Sequence, residues 1–124
     1  MTYEQLEQLV ISWGSDKDLI KRENADKQFM KFIEEVFEFR DELTKISYMV
    51  DVKKQLQGQG FYLRVDESFI KALKLEMGDI LVTLIILSAQ LGIDLTECLE
   101  MAYEKISKRK GKTIDGLFVK EEDL

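Results

Sequence analysis

Residues 76–87 read EMGDILVTLIIL and contain the longest apolar run of the 124-residue chain. Its apolar part, Ile80 to Leu87 with Thr83 inside it, is rich in β-branched residues and by composition alone suits a buried strand. Polar neighbours at helical spacing and the lack of turn signals favour instead a helix from about Phe69 to Leu91, ended by Gly92. Such a helix is apolar nearly all round and needs cover on every side. Three other helices from a chain this small are few for that task, which points to a partner subunit.

The other predicted helices precede and follow this one. The first is capped by Thr2 and Gln5 in a capping-box arrangement, and Gly14 interrupts it. Its buried stripe consists of four residues at helical spacing: Leu6, Leu9, Val10 and Trp13. A short helix at about 15–23 and a longer one at about 24–47 follow.

The rest of the chain is less regular, apart from one more helix. Residues 48–68 contain Gly58 and Gly60 and suit either a loop or a small hairpin. Asp94 caps the last helix. The predicted core stripe of that helix is Leu95, Cys98, Leu99, Ala102 and Ile106. We therefore expect one all-α domain of four to five helices over 1–124, with an irregular insertion at about 48–68 and a loosely ordered tail from about 111.

Composition excludes several functions. The chain carries 24 acids and 18 bases, a net charge of −6, which disfavours binding to a nucleic-acid polymer through its phosphates. It has no histidine, which excludes the usual zinc hydrolases and the nucleophile systems that need one. The lone Cys98 forms no internal disulfide, and no apolar run reaches the roughly 20 residues that span a bilayer. With an acidic start unlike a signal peptide, these features predict a cytoplasmic protein without a membrane partner.

Acidic residues are concentrated in two places. Five lie within nine positions of the longer helix: Glu34, Glu35, Glu38, Asp41 and Glu42. Taken alone, they are best explained as a solvated helix face. Glu76 and Asp79 change that interpretation, because they enter the most apolar helix at i,i+3 spacing and an unpaired buried charge is costly. If these two helices pack antiparallel, two i,i+3 pairs of carboxylates converge, one of them Glu35 with Glu38.

Converging carboxylates repel one another unless a cation lies between them. An oxygen cage without histidine or thiolate suits Mg²⁺ or Mn²⁺ rather than zinc or copper, and a di-iron bundle would need a Glu-x-x-His pair.

The last helix adds a basic cluster: Lys105, Lys108, Arg109, Lys110 and Lys112. Bases near a helix C-terminus are also ordinary, because they complement its dipole. Lys105 and Arg109, however, are spaced i,i+4 on a predicted common face, so both can reach one anion, as phosphate chemistry requires.

The ordered set of motifs resembles the all-α MazG-like nucleoside triphosphate pyrophosphohydrolases, relatives of the dimeric dUTPases and phosphoribosyl-ATP pyrophosphohydrolases. The matching motifs are Gln28-x-x-Lys31, Glu34-Glu35-x-x-Glu38, Glu76-x-x-Asp79 with Gly78 inside it, Gly-Ile-Asp-Leu at 92–95, and Lys105-x-x-x-Arg109. The resemblance implies a bundle that assembles as a homodimer or a dimer of dimers. It also implies hydrolysis between the α- and β-phosphates of a nucleoside triphosphate, which gives the monophosphate and pyrophosphate.

The resemblance also implies roles for individual residues. The implied ligands of Mg²⁺, or of Mn²⁺ in its place, are Glu35, Glu38, Glu76 and Asp79. Glu34 or Glu35 orients or deprotonates the attacking water. The implied phosphate-binding residues are Lys105 and Arg109, with Lys31 a weaker candidate. Trp13 is a candidate for stacking on the base, although an aromatic in an apolar stripe is more often a core residue.

A second hypothesis from another functional class is a non-catalytic helical adaptor. In that case the acidic stripe is merely solvated, and the apolar third helix is an association surface. The two hypotheses differ in one measurable property, because only a carboxylate cage is stabilised by Mg²⁺.

Overall fold

The computed structural model describes residues 1–57 and 67–124, with side chains for residues 1–48 and 68–124. The helices and strands in that part are α1 (Tyr3–Asp16), α2 (Ala25–Gln57), α3 (Glu67–Leu91), α4 (Leu95–Ser107), β1 (Gly111–Ile114) and β2 (Leu117–Lys120). Short 3₁₀ turns cover Arg22–Asn24 and Glu121–Asp123. The all-α fold class is confirmed. The chain divides into two compact units, residues 1–92 and residues 93–124.

Local capping sets the helix ends much as the sequence predicts. The Thr2 hydroxyl accepts from the Gln5 amide at 3.1 Å, and the Gln5 side chain accepts from the Thr2 amide at 2.9 Å, which confirms the capping box. The Asp94 carboxylate accepts from the Thr96 amide at 3.0 Å and caps α4. Gly92 follows α3 with a φ of +68°, a conformation that favours glycine after a helix.

Two predicted helix boundaries are wrong. Gly14 lies inside α1 and does not interrupt it, and a turn followed by Arg22–Asn24 replaces the predicted short helix at 15–23. The longer helix, α2, begins after Asn24 as expected but continues to Gln57 rather than ending near Ser47. It does so because no glycine or proline occurs between residues 48 and 57. The remainder of the predicted insertion, residues 58–66, lies outside the described residues.

Gly14 explains why α1 presents a different face from the predicted one. It is buried, and a Cβ there would lie 2.5 Å from Ile86 Cδ1 and 3.0 Å from Ile20 Cδ1. The missing side chain therefore lets α1 approach α3 closely at this level. Of the predicted stripe, only Val10 is half-buried, whereas Leu6, Leu9 and Trp13 are exposed.

The helices α2 and α3 form the centre of the first unit and run antiparallel. The Gln28 side-chain amide donates to the Thr83 carbonyl at 3.2 Å, whereas oxygens of Glu35 and Glu38 approach Glu76. Later residues of α2 therefore lie beside earlier residues of α3. The buried apolar core of the described residues consists of Ile85 and Ile86 of α3, which are 4% and 1% exposed.

Many large apolar side chains remain at the surface. On α3 they are Ile70, Leu75, Met77 and Leu81, so the described part of the chain covers this helix only incompletely. The predicted core stripe of α4 is likewise not buried, since Cys98, Leu99 and Ile106 are exposed.

Within the described residues no single helix is long and apolar enough to cross a membrane, although α3 and α4 taken together as a broken pair meet that criterion by length and composition.

The second unit ends in a β-hairpin that the sequence analysis did not predict. Strands β1 and β2 pair antiparallel, with Gly111 opposite Lys120 and Ile114 opposite Leu117. Asp115 and Gly116 form the two-residue turn with φ of 51° and 81°, the conformation for which an Asp-Gly pair is favoured. The expectation of little regular structure from residue 111 is therefore wrong.

Candidate metal centre

Three glutamates from α2 and α3 converge in the first unit. Glu35 and Glu38 lie one turn apart on α2, and Glu76 lies on α3 at the same level of the antiparallel pair. One carboxylate oxygen from each residue lies within 4.8 Å of those of the other two. The structure thus brings together three of the four residues that the sequence predicts as metal ligands.

The three carboxylates differ in their access to solvent. Glu35 is 7% exposed, Glu76 is half-buried, and Glu38 is exposed. The Oε2 atoms of Glu35 and Glu76 are both buried and accept no hydrogen bond from the part of the chain that the structure describes. A buried carboxylate oxygen without a partner is costly, so these two atoms point to a ligand supplied from outside the chain.

Lys31 supplies a positive charge next to the cluster. Its Nζ lies 3.3 Å from an oxygen of Glu34 and 3.3 Å from Oε1 of Glu35. Hydrogen bonds to Glu34 and Glu35, together with their charges, raise the pKa of Lys31 above its usual value. Lys31 therefore stays protonated at neutral pH and holds Oε1 of Glu35, while Oε2 of the same carboxylate is left for another partner.

Repulsion within the cluster changes the pKa of Glu38. Its pKa is raised, first by a hydrogen bond and charge repulsion from Glu35, then by partial desolvation, and further by the charges of Glu76 and Glu34. Protonation relieves the repulsion because neutral Glu38 donates a hydrogen bond to the Glu35 carboxylate. A bound divalent cation relieves the same repulsion by supplying opposite charge.

The donor set suits a hard cation. All three groups are carboxylates, two offer buried oxygens without a hydrogen-bond partner, and the chain has no histidine. Mg²⁺ prefers oxygen ligands and commonly uses a few carboxylates while keeping waters and substrate phosphates in its other positions. The residues present therefore fit Mg²⁺ or Mn²⁺.

The other predicted site residues of the first unit lie around this cluster or apart from it. Asp79 is exposed, and its carboxylate does not belong to the group of mutually close oxygens. Glu34 is exposed and paired with Lys31.

Trp13, on α1, is 50% exposed. Thr83 is buried, and its hydroxyl donates to the Ile80 carbonyl at 2.8 Å, so its polar group is satisfied within α3.

Lys105 and Arg109 lie in the second unit, and one prediction about them is wrong. The helix α4 ends at Ser107 with Lys108 as its C-cap, so Arg109 lies beyond it and the two side chains do not share a helix face. The Arg109 amide donates to the Ile106 carbonyl at 3.1 Å in the tight turn that ends the helix. A shared helix face would require two more helical residues than α4 contains.

Two further residues with buried polar atoms were missed by the sequence analysis. The Oε2 atom of Glu7 on α1 and the Oε1 atom of Gln90 on α3 are buried without a hydrogen-bond partner among the described residues. The Gln90 amide group also donates to the Leu19 carbonyl at 2.9 Å and so fixes the turn after α1. Glu7 lies between the apolar positions Leu6 and Val10, and an acid at such a position was the sequence feature that could have identified it.

Comparison with known proteins agrees with this geometry. A family model described as the MazG nucleotide pyrophosphohydrolase domain matches residues 23–114, which include all three converging glutamates. No curated protein and no solved structure matches the chain.

The raised pKa of Glu38 predicts an unusual response of stability to pH in the absence of divalent metal. Because the folded state disfavours the charged form, wild-type stability is reduced once the pH rises above the ordinary glutamate range. We expect Glu38→Gln to melt at a higher temperature than the wild type at pH 7 in chelator-treated buffer. The gain should shrink as the pH falls through the ordinary glutamate pKa, where Glu38 is protonated in both states.

Glu34→Gln provides the matched control, because it removes the same charge one turn earlier on α2. The Glu34 carboxylate pairs with Lys31, so its removal loses an attraction that offsets its smaller repulsion of Glu38, and it should raise the melting temperature less than Glu38→Gln does. The interpretation is contradicted if Glu38→Gln melts at or below the wild-type temperature at pH 7, or if its gain persists undiminished at pH 4.

Proposed function

Because the chain belongs to the MazG nucleotide pyrophosphohydrolase family, and thus to hydrolases of nucleotide pyrophosphate bonds, we propose that it cleaves the α–β bond of a nucleoside triphosphate with Mg²⁺. The observation that carries the proposal is the convergence of Glu35, Glu38 and Glu76 with two buried, unpartnered oxygens. The products are then a nucleoside monophosphate and pyrophosphate. Mn²⁺ is the expected substitute for Mg²⁺.

In this proposal the glutamates hold the ion, and the ion neutralises phosphate oxygens when bound. Lys31 lies 3.3 Å from Oε1 of Glu35, which leaves Oε2 of that carboxylate, buried and without a hydrogen-bond partner among the described residues, to bind the ion. Asp79 is the proposed fourth ligand, because it lies one turn from Glu76, about 4.5 Å along the helix axis. Its side chain is exposed, whereas that of Glu35 is buried.

The hydrolytic step needs a base for the attacking water. Glu34 and Glu35 are the proposed candidates, because each is a carboxylate within 3.3 Å of the Lys31 ammonium and beside the cluster. One of them orients the water or accepts its proton. The water oxygen then bonds to one of the two phosphates while the bridging oxygen leaves with the other, so no further reactant is consumed.

The remaining predicted roles concern substrate binding. Arg109 and Lys105 are the proposed phosphate-binding residues of the second unit, and Lys31 is a weaker candidate because two carboxylates already engage it. Trp13 is half exposed, and its ring is therefore accessible for stacking on a base. The proposed location of this activity is the cytoplasm.

Self-association completes the proposal. The described chain buries few apolar side chains and exposes Ile70, Leu75, Met77 and Leu81 along α3, which is more apolar surface than a stable monomer usually leaves uncovered. We propose that a second copy covers this face in a homodimer or a dimer of dimers. The exposed apolar surface is also what an adaptor would present, but the family and the carboxylate cluster favour the enzyme.

The enzymatic proposal predicts Mg²⁺-dependent release of pyrophosphate from at least one member of a panel of canonical and modified nucleoside triphosphates. Glu38→Gln should lower the rate about a hundredfold, because a neutral amide is a poor ligand for a hard cation. Glu100→Gln, which removes an exposed carboxylate from α4, should leave the rate unchanged. The proposal fails if no triphosphate is cleaved with either Mg²⁺ or Mn²⁺, or if both variants behave alike.

The assembly proposal predicts that the wild type sediments as a dimer or tetramer. Leu81→Asp places a charge in the exposed apolar face of α3 and should shift the protein toward the monomer. Leu117→Asp makes the same change at an exposed position of the hairpin and should leave the assembly intact. A monomeric wild type, or equal dissociation by both variants, would contradict the assignment of this face.

A further inference from the structure

The second unit contains a basic pocket that the sequence analysis did not identify. The pocket has a volume of about 490 Å³. Its lining consists of Lys108, Arg109, Lys110, Lys120, Glu121 and Glu122. Lys105, the residue that the sequence paired with Arg109, does not line it. Three of the four basic residues follow α4 directly, and the fourth arrives from β2.

The hairpin brings Lys120 back to the end of α4. Gly111 lies opposite Lys120 in the register of the two strands, and the Glu121 amide donates to the Lys110 carbonyl at 2.7 Å. Gly111 is required for this approach, because a Cβ there would collide with the Val119 carbonyl and lie 2.7 Å from the Phe118 ring. Backbone pairing, rather than side-chain attraction, therefore places Lys120 beside Arg109 and Lys110.

The charges of the pocket are only partly compensated. Lys108 lies 3.3 Å from Glu104, and Lys120 lies 4.0 Å from Glu122, both at exposed sites where such pairs are weak. Arg109 and Lys110 have no carboxylate within 4.0 Å among the side chains that the structure describes. Arg109 is also half-buried. A net positive pocket in a chain of net charge −6 thus has unused capacity for an anion.

We propose that this pocket binds an anion with two or more linked phosphates, held by Arg109 and Lys120. A guanidinium binds phosphate oxygens in a bidentate manner, and the ammonium of Lys120, which lines the same pocket, adds a second charged contact. Only the natural source of the anion, the triphosphate of the substrate or the released pyrophosphate, rests on the proposed function. The hairpin is then a part of the phosphate-binding apparatus, and Lys120 adds to Arg109 a contact that the sequence analysis did not assign.

The proposal is tested by calorimetric titration of the full chain with inorganic pyrophosphate in metal-free buffer. Without metal the carboxylate cluster repels the anion, so binding reports on basic groups and does not depend on hydrolysis. We expect Arg109→Gln and Lys120→Gln each to weaken binding about tenfold or more, as removal of a charge-assisted contact does. The matched control is Lys112→Gln, which removes the same charge from β1 outside the pocket and should change affinity less than about twofold.

Gly111→Ala tests whether binding depends on the position of Lys120 and not only on the positive charge of the basic residues. This variant keeps every basic residue but introduces the Cβ that collides with Val119, so it should weaken pyrophosphate binding as well. Circular dichroism and melting temperature identify any variant that fails to fold. The proposal is overturned if the wild type does not bind pyrophosphate, if Lys120→Gln and Lys112→Gln bind equally, or if folded Gly111→Ala binds as the wild type does.

Kinetics with the metal-loaded protein distinguish the two sources of the anion. If the pocket holds the substrate, Lys120→Gln should raise KM for the triphosphate by about tenfold with little change in pyrophosphate inhibition. If it holds the product, the variant should relieve that inhibition while KM stays constant. An inactive wild type that still binds pyrophosphate through Lys120 would reject the proposed function and leave the pocket assignment standing.

Discussion

Mutual repulsion of three carboxylates has to be accommodated at the centre of the first unit. Antiparallel packing of α2 and α3 holds oxygens of Glu35, Glu38 and Glu76 within 4.8 Å of one another, and two of these residues carry a buried oxygen without a partner. Like charges at that distance destabilise a fold unless a proton or a cation intervenes. A protein that served only as a scaffold would gain stability by replacing these acids, so the arrangement is best understood as a site built around an ion.

The sequence predicted this site because both pairs of acids follow helical spacing and one of them enters an apolar helix. Spacing along a helix places Glu35 and Glu38 together without any knowledge of tertiary structure. The approach of Glu76 required one assumption, antiparallel packing, which the bond from Gln28 to Thr83 supports. The exclusion of Asp79 from the closest group was not predictable, since it depends on side-chain reach across the helix pair rather than on spacing.

Other features depended on contacts that the pattern of apolar residues does not contain. Gly14 was interpreted as a helix breaker, but its lack of a side chain serves the close approach of Ile86, and the exposed face of α1 follows from that contact. The hairpin was missed although its signal was present: Asp115-Gly116 between short apolar runs is a strong turn sequence. Early termination of α4 then separated Arg109 from the helix face and gave it a neighbour from β2.

Anomalous scattering at the manganese edge, measured on crystals grown with Mn²⁺, shows whether the three carboxylates bind an ion. We expect one strong anomalous peak per chain in direct contact with carboxylate oxygens of Glu35, Glu38 and Glu76, and loss of that peak in Glu35→Gln. Absence of the peak, or a peak held only by other residues while these three carboxylates face water, would contradict this expectation.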